Sequence, residues 1–266
     1  MPRRQADQYS NLKSTSMEAV DRNAEDYELR EALLATEEQD RSTKPRGQED
    51  LLPAEGRTGD VLAMNLALFG AAFFTIVTWV IVLVNNPVAN NWGWFAFHPP
   101  LQSLSLALLI YGILTLQPTS QPKTKAAGLV RHQYAILLMA FPIMFLGTFA
   151  VMLNKYLHGA VHFKTWHAKF GILCMGWMFV QVVLGGGSVW FGGAAFGGGY
   201  KAKAVWKYHR LSGYVLFALL MFTAHIGGAW SNWGMKYSPW ILRVLAYGVS
   251  LAACAAGVYI RLRHRR

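Results

Sequence analysis

Beyond Asp60 this sequence contains no acidic residue at all. All 14 Asp and Glu lie between Asp7 and Asp60, together with 9 of the 25 Lys and Arg, so the segment up to Asp60 carries −5 and the remainder +16. A soluble domain of that size without a carboxylate would be very unusual. In a membrane domain it is expected, because buried carboxylates are costly and basic residues gather at one interface. Long basic tracts are also missing: the positive residues sit in short clusters between apolar runs, which argues against a nucleic-acid partner. Cysteine is scarce. Cys174 and Cys254 both fall inside apolar runs and read as inert buried thiols rather than a disulfide framework. There is no Asn-x-Ser/Thr sequon, and no signal peptide is expected, since the first apolar run begins near Val61.

What is present is hydrophobic residue, 53% of the chain. The segment 1–60 is polar and mixed in charge, the composition of a disordered acidic tail, with transient helix expected across the Gly- and Pro-poor stretch Met17 to Arg41. After Asp60 come six apolar runs, each near the ~20 residues that a spanning helix needs. They predict helices at about 61–84, 95–116, 130–153, 167–190, 206–228 and 239–260, with 61–262 as one transmembrane domain and 263–266 as a basic end. Asn85-Asn86-Pro87, Pro118 to Pro122, the glycine-rich 185–199 and Ser238-Pro239 read as connectors. Tryptophans cluster near run ends, where amphipathic rings prefer the interface. The tail, the second and fourth connectors and the C-terminus together hold 20 Lys and Arg. The rule of positive charge inside then places both termini in the cytoplasm and leaves the organelle open.

Four of the eight histidines, His98, His132, His167 and His209, sit at the beginnings of four consecutive predicted spans, each separated from the next by one helix and one loop. Adjacent spans run in opposite directions, so the four alternate between membrane faces, two imidazoles to each face. Two facing imidazoles are the axial ligand set of a six-coordinate haem, and cofactor sites in bundles arise from facing helices in this way. A single histidine near an interface is as readily a polar anchor, but the alternating register of four disfavours that reading. No Cys-x-x-Cys-His occurs, so a haem would be held without thioether links. Gly171 and Gly213 follow His167 and His209 at the i+4 position, on the same helix face, and would let a flat macrocycle approach the backbone; small residues that merely help helices pack are the alternative. Gln181 falls on the His167 face and could donate to the cofactor or bridge two helices. His225 points away from the ligand face of its span, and His158 and His162 belong to an outer connector.

At these residues the chain resembles the eukaryotic cytochrome b561 family, and in particular its short two-haem branch. The matching segments are Phe97-His98-Pro99, Arg131-His132, Thr165 to Gly171 and Tyr208 to Gly213, with Gln181 and Gly185 at a glutamine and a glycine of the family. The resemblance covers about 61–262. It implies an all-α membrane protein whose central four-helix bundle holds two non-covalent b haems, His98 pairing with His167 and His132 with His209. It also implies ascorbate-dependent reduction, with electrons passing from cytosolic ascorbate to an outer acceptor such as ferric iron or monodehydroascorbate. Lys155 and His162 match basic and histidine positions of the branch near the acceptor side. One departure stands out: better-known members carry an aromatic–arginine motif at the cytoplasmic end of the second span, where this chain reads Ile113 to Pro118 without a basic residue. Lys123, Lys125, Arg131, Lys201, Lys203, Lys207 and Arg210 form a basic rim beside His132 and His209 that suits an anionic donor, or else only fixes topology. A carrier that docks to another redox enzyme and a haem-free histidine-relay transporter are the other readings, and a homodimer is open.

Overall fold

The computed structural model describes residues 59–85, 87–116 and 122–262. The acidic tail up to residue 58, Asn86, the proline-flanked 117–121 and the basic end at 263–266 lie outside the described residues. Six helices are long and apolar enough to cross a membrane, and no strand occurs among the described residues. The first, α1, is Asp60–Val84, so Asp60, assigned to the tail by composition, is the first residue of a span. A 3-10 turn at Gly93–Phe97 leads into α2, His98–Leu114, whose first turn holds two prolines that need no N–H partner there. The third span, α3, runs from Pro122 to Leu157 through a π-helical stretch at Tyr134–Ala140. Pro142 comes just after that stretch. It lacks an N–H and its ring crowds the carbonyl four residues back, so a locally widened helix relieves the clash. Next come α4, Trp166–Val189, and α5, Gly199–Ala229. The last span, α6, is Trp240–Leu262 with a π-helical stretch at Leu245–Val249.

Two expectations about boundaries change. Apolar content places the third and fifth spans at 130–153 and 206–228, yet α3 and α5 begin at Pro122 and Gly199. Their extra turns carry Lys123, Lys125, Lys201, Lys203 and Lys207: a helix does not stop where its hydrophobicity does, because its backbone hydrogen bonds continue into a polar sequence. His132 and His209 therefore lie about 15 Å inside their helices rather than at the beginnings. The glycine-rich 185–199 is likewise not all connector. Gly185, Gly186 and Gly187 belong to α4, where a Cβ on each would meet the ring of His209, Trp190 or Phe196 respectively. The true reversal comes at Phe191, Gly192 and Gly193, all left-handed, a conformation that the two glycines adopt without strain and Phe191 does not.

The spans pack as two antiparallel hairpins, α2–α3 and α4–α5, while α1 and α6 pair with each other along α2 and α5. Between α3 and α4 contact is sparse. Because the surroundings are hydrocarbon, burial within the protein is modest and large apolar side chains such as Phe69, Leu83 and Val183 face outward. The α1–α6 seam is made of small residues. Ala63, Ala67 and Ala71 are buried, and Cys254 Sγ donates to the Ala67 carbonyl at 3.3 Å. A Cβ on Gly257 would stand 2.7 Å from Ala67 Cβ and collide with the Ala63 carbonyl. Such close approach is what lets helices associate in lipid, where apolar surface alone gives no preference.

Gly257→Ala should consequently part the seam and destabilise the protein by about 1–3 kcal/mol. Thermal unfolding in detergent should show a midpoint several degrees lower. Gly176→Ala, at a glycine with nothing within 4 Å of the added methyl, serves as the control that leaves the midpoint in place.

Candidate functional site

The two hairpins face each other through their histidines. His98 on α2 and His167 on α4 have ring centroids 5.9 Å apart, and His132 on α3 and His209 on α5 have theirs 6.3 Å apart. An imidazole nitrogen lies about 1.1 Å from its ring centre and about 2.0–2.1 Å from a metal it binds. Two rings on opposite sides of one ion therefore have centroids about 6.3 Å apart, and both observed pairs match that spacing. The planes within each pair are nearly perpendicular, at 81° and 87°. No cluster of three or more His, Cys, Asp or Glu occurs among the described residues, so neither imidazole pair belongs to a larger set of such side chains.

Three of the four rings are tied to the neighbouring helix of their own hairpin. His98 Nδ1 bonds to the Gly147 carbonyl at 3.0 Å, His132 Nδ1 to Gly112 at 3.2 Å and His167 Nδ1 to Thr223 at 3.0 Å. A carbonyl only accepts, so in all three Nδ1 carries the proton and Nε2 is left as the free base that a metal requires. His209 Nδ1 is buried beside the Gln181 backbone without a bond of good geometry. The pattern is crosswise. Gly112, Gly147 and Thr223 each sit about four turns beyond the histidine of their own helix, and Gln181 stands in the same relation to His167. The two imidazole pairs are thus about 21 Å apart along the bundle, well within the ~30 Å of hydrocarbon thickness.

Glycines make room for these rings. A Cβ on Gly227 would stand 2.6 Å from His167 Nδ1, and one on Gly185 would stand 2.8 Å from His209 Cε1. Each lies about five turns past the histidine of its own helix, a repeat that the sequence displays but that has no meaning until α4 and α5 are seen to be antiparallel. Of the two glycines expected to admit a macrocycle, Gly171 has nothing within 4 Å of an added Cβ, while Gly213 looks onto the Gln181 side chain at 3.3 Å. The Gln181 amide itself donates to Ser212 Oγ on α5, bridging the two helices.

A cavity of about 1130 Å³ surrounds His98 and His167, larger than most small-molecule pockets. Phe74, Leu106, Met144, Met175 and Leu220 make its wall apolar, Gly171 opens into it, and Lys155 stands at its edge. Lys155 Nζ also donates to the Val161 carbonyl at 2.8 Å, folding the connector that carries His162. His162 is packed against Phe163 but does not line the cavity, and its Nδ1 is buried without a partner. His225 is accounted for: its Nδ1 donates to the Tyr247 carbonyl at 2.7 Å and its Nε2 accepts from Trp230 Nε1 at 3.1 Å.

At the other end, Arg131, Lys207 and Arg210 are exposed around His132 and His209. Lys207 lies over the Tyr208 ring at 4.8 Å and Lys125 over Trp206 at 5.5 Å. The end of α2 has no basic residue of its own, yet two guanidinia reach it from elsewhere in the chain. Arg131 donates to the Thr115 carbonyl at 3.2 Å, and buried Arg261, on α6, donates to the Leu114 carbonyl at 2.9 Å. Cations are favoured at a helix C-terminus, where carbonyls are left unpaired.

The family of eukaryotic cytochrome b561 matches residues 97–234, from just before His98 to just past α5. Among curated proteins, the transmembrane reductase CYB561D2 of Bos taurus is 28% identical over 195 residues, covering 65% of this chain and 80% of that protein. The family match spans both hairpins and all four paired histidines, and the chain belongs to the eukaryotic cytochrome b561 family.

Proposed function

We propose that this protein carries electrons across a membrane from a cytosolic anionic reductant, ascorbate or a similar molecule, to an acceptor on the far side such as ferric iron or monodehydroascorbate. The observation that carries the reading is the pair of imidazole couples at metal-sharing distance, one near each end of the bundle. In this reading His98 and His167 hold one b haem and His132 and His209 the other. Gly171 leaves room for a ring edge, while Gly213 makes room for the Gln181 side chain, which steadies the second site. Haem with two imidazole ligands supplies a one-electron iron couple with no open coordination position, which suits electron transfer rather than oxygen chemistry. The residues do the rest. Carbonyl acceptors on Nδ1 fix the directions of three rings and raise ligand basicity, and the largely apolar cavity wall suits a flat apolar ring near His98. The relative's name as a transmembrane reductase supports a reductase reading.

Orientation in this reading follows from the asymmetry of Lys and Arg, which puts both termini and the His132–His209 end in the cytoplasm. Ascorbate is a monoanion near pH 7, and Arg131, Lys207 and Arg210 stand exposed where it would arrive. A basic rim raises the local concentration of such a donor, an effect that salt weakens. Arg131 and Arg261 at the end of α2 supply from elsewhere in the chain the positive charge that α2 lacks. At the opposite end Lys155 and His162 are the residues proposed to meet the acceptor.

Replacing His98 or His167 by alanine should remove one and the same haem, and replacing His132 or His209 the other. Pigment per protein with a redox titration of each variant checks this, and full pigment with unchanged potentials in any of the four would reject the ligand assignment. The glycines that receive the rings provide a second check. Gly227→Ala should displace His167 and lower haem content at the first site, and Gly185→Ala should do the same at the second, while each leaves the other site spectrally intact.

Donor entry is tested separately. Neutralising Lys207 together with Arg210 should slow reduction by ascorbate several-fold and flatten its salt dependence, with little effect on a neutral donor. Stopped-flow spectroscopy of vesicles with the donor on the cytoplasmic side measures it. Equal slowing with both donors would point to a damaged haem site instead.

A further inference from the structure

One turn past His98, the Gln102 side chain spans α2 and α3. Its Nε2 donates to the Met144 carbonyl at 3.0 Å and to Thr148 Oγ1 at 2.9 Å. Thr148 Oγ1 donates onward to Met175 Sδ of α4 at 3.9 Å. Thr148 adjoins Gly147, whose carbonyl takes the His98 Nδ1–H, and a Cβ on Gly147 would stand 3.0 Å from both Gln102 Nε2 and Leu101 Cβ. Gln102, Met144, Thr148 and Met175 all line the cavity around His98 and His167.

The Thr148 hydroxyl reaches across to another helix, as those of Thr75 and Ser105 do, but its acceptor is a sulfur. Hydroxyls in helices commonly bond to the carbonyl four residues back, and Thr78, Ser212 and Thr223 do so with Phe74, Tyr208 and Leu219. For Thr148 that carbonyl is Met144, which Gln102 already occupies, so the hydroxyl is turned toward the interior. The second hairpin repeats the device near His209: the Gln181 amide donates to Ser212 Oγ, one turn past His209, and the Gln181 backbone lies beside the imidazole. Each hairpin therefore has one amide–hydroxyl clamp next to one imidazole, and neither His132 nor His167 has a counterpart among the described residues.

We propose that Gln102 and Thr148 are positioning residues that hold His98 to the Gly147 carbonyl and thereby set the reduction potential of the haem shared by His98 and His167. The proposal rests on the haem reading above. A metal-bound imidazole whose Nδ1–H is firmly bonded is a stronger base and favours the oxidised metal. Loosening the clamp lets the α2–α3 register relax at Gly147, weakens that bond and shifts the balance toward the reduced form. Because the clamp lies beside His98 alone, it lets the potential of one haem be set without the other.

The test is a redox titration of the purified full-length protein, followed optically, with electron paramagnetic resonance of the oxidised form. Thr148→Val keeps the shape and removes the hydroxyl; Thr148→Ser keeps the hydroxyl. The valine variant should raise the reduced-to-oxidised ratio of one haem about threefold at fixed poise and move its low-spin signal alone. The serine variant should titrate as wild type, and Gln102→Leu, a second route to the same loss, should reproduce the valine result. Two bound haems with unmoved potentials in the valine and leucine variants, or a shift of both haems together in Thr148→Val, would overturn the proposal. Wild-type protein purified without haem would overturn the haem reading and the proposal with it.

Discussion

The hydrogen bond from an imidazole Nδ1 to a backbone carbonyl across a helix hairpin is the contact on which the arrangement turns. In hydrocarbon there is no water to satisfy a stray N–H, so each ring has to find an acceptor inside the protein. Helical carbonyls are already engaged within their own helix, but a second lone pair remains. His98, His132 and His167 use that lone pair on the neighbouring antiparallel helix. One bond thus fixes the tautomer, the direction of Nε2 and the register of two helices at once. Because each acceptor lies about four turns beyond the partner histidine, the same contact sets the depth of the two imidazole pairs in the membrane.

Small residues follow from that constraint. Gly147 and Gly112 let α2 and α3 approach closely enough for the carbonyls to be reached, while Gly227 and Gly185 leave the volume that the His167 and His209 rings take up. Where α3 and α4 scarcely touch, the bundle keeps a slot, and the apolar cavity around His98 and His167 opens into it. The remaining helices give the bundle its closure. The α1–α6 pair is packed through alanines, glycine and Cys254, and Arg261 joins the start of α1, the end of α2 and the end of α6 through the Asp60 and Leu114 carbonyls. A buried guanidinium in a domain almost without carboxylates is satisfied here in part by backbone oxygens, a use that its fork of donors suits.

Much of this is legible without coordinates. Six apolar runs, the confinement of every carboxylate to the segment ending at Asp60 and the alternating register of four histidines announce a membrane bundle with paired imidazoles. The departures have a common source. The early beginnings of α3 and α5, and the helical state of Gly185 to Gly187, escape a reading of hydrophobicity because hydrophobicity reports where lipid is, whereas helix ends report where backbone hydrogen bonding ceases. The positive charge at the end of the second span escapes it too, since Arg131 and Arg261 arrive there from other elements.

Composition and spacing along one chain are enough to set the solvent of this protein, the number of its spans and the alternating register of four histidines. They do not set the close approach of 5.9 and 6.3 Å within each imidazole pair, which glycines leave room for the rings or that Gln102 turns the Thr148 hydroxyl inward. Those outcomes belong to the folded bundle. They depend on the side-by-side register of antiparallel helices, where a shift of one residue, about 1.5 Å, exchanges the neighbours of every side chain. Register of that kind is fixed by packing and crosswise hydrogen bonds between segments far apart in the chain, and no local pattern encodes it.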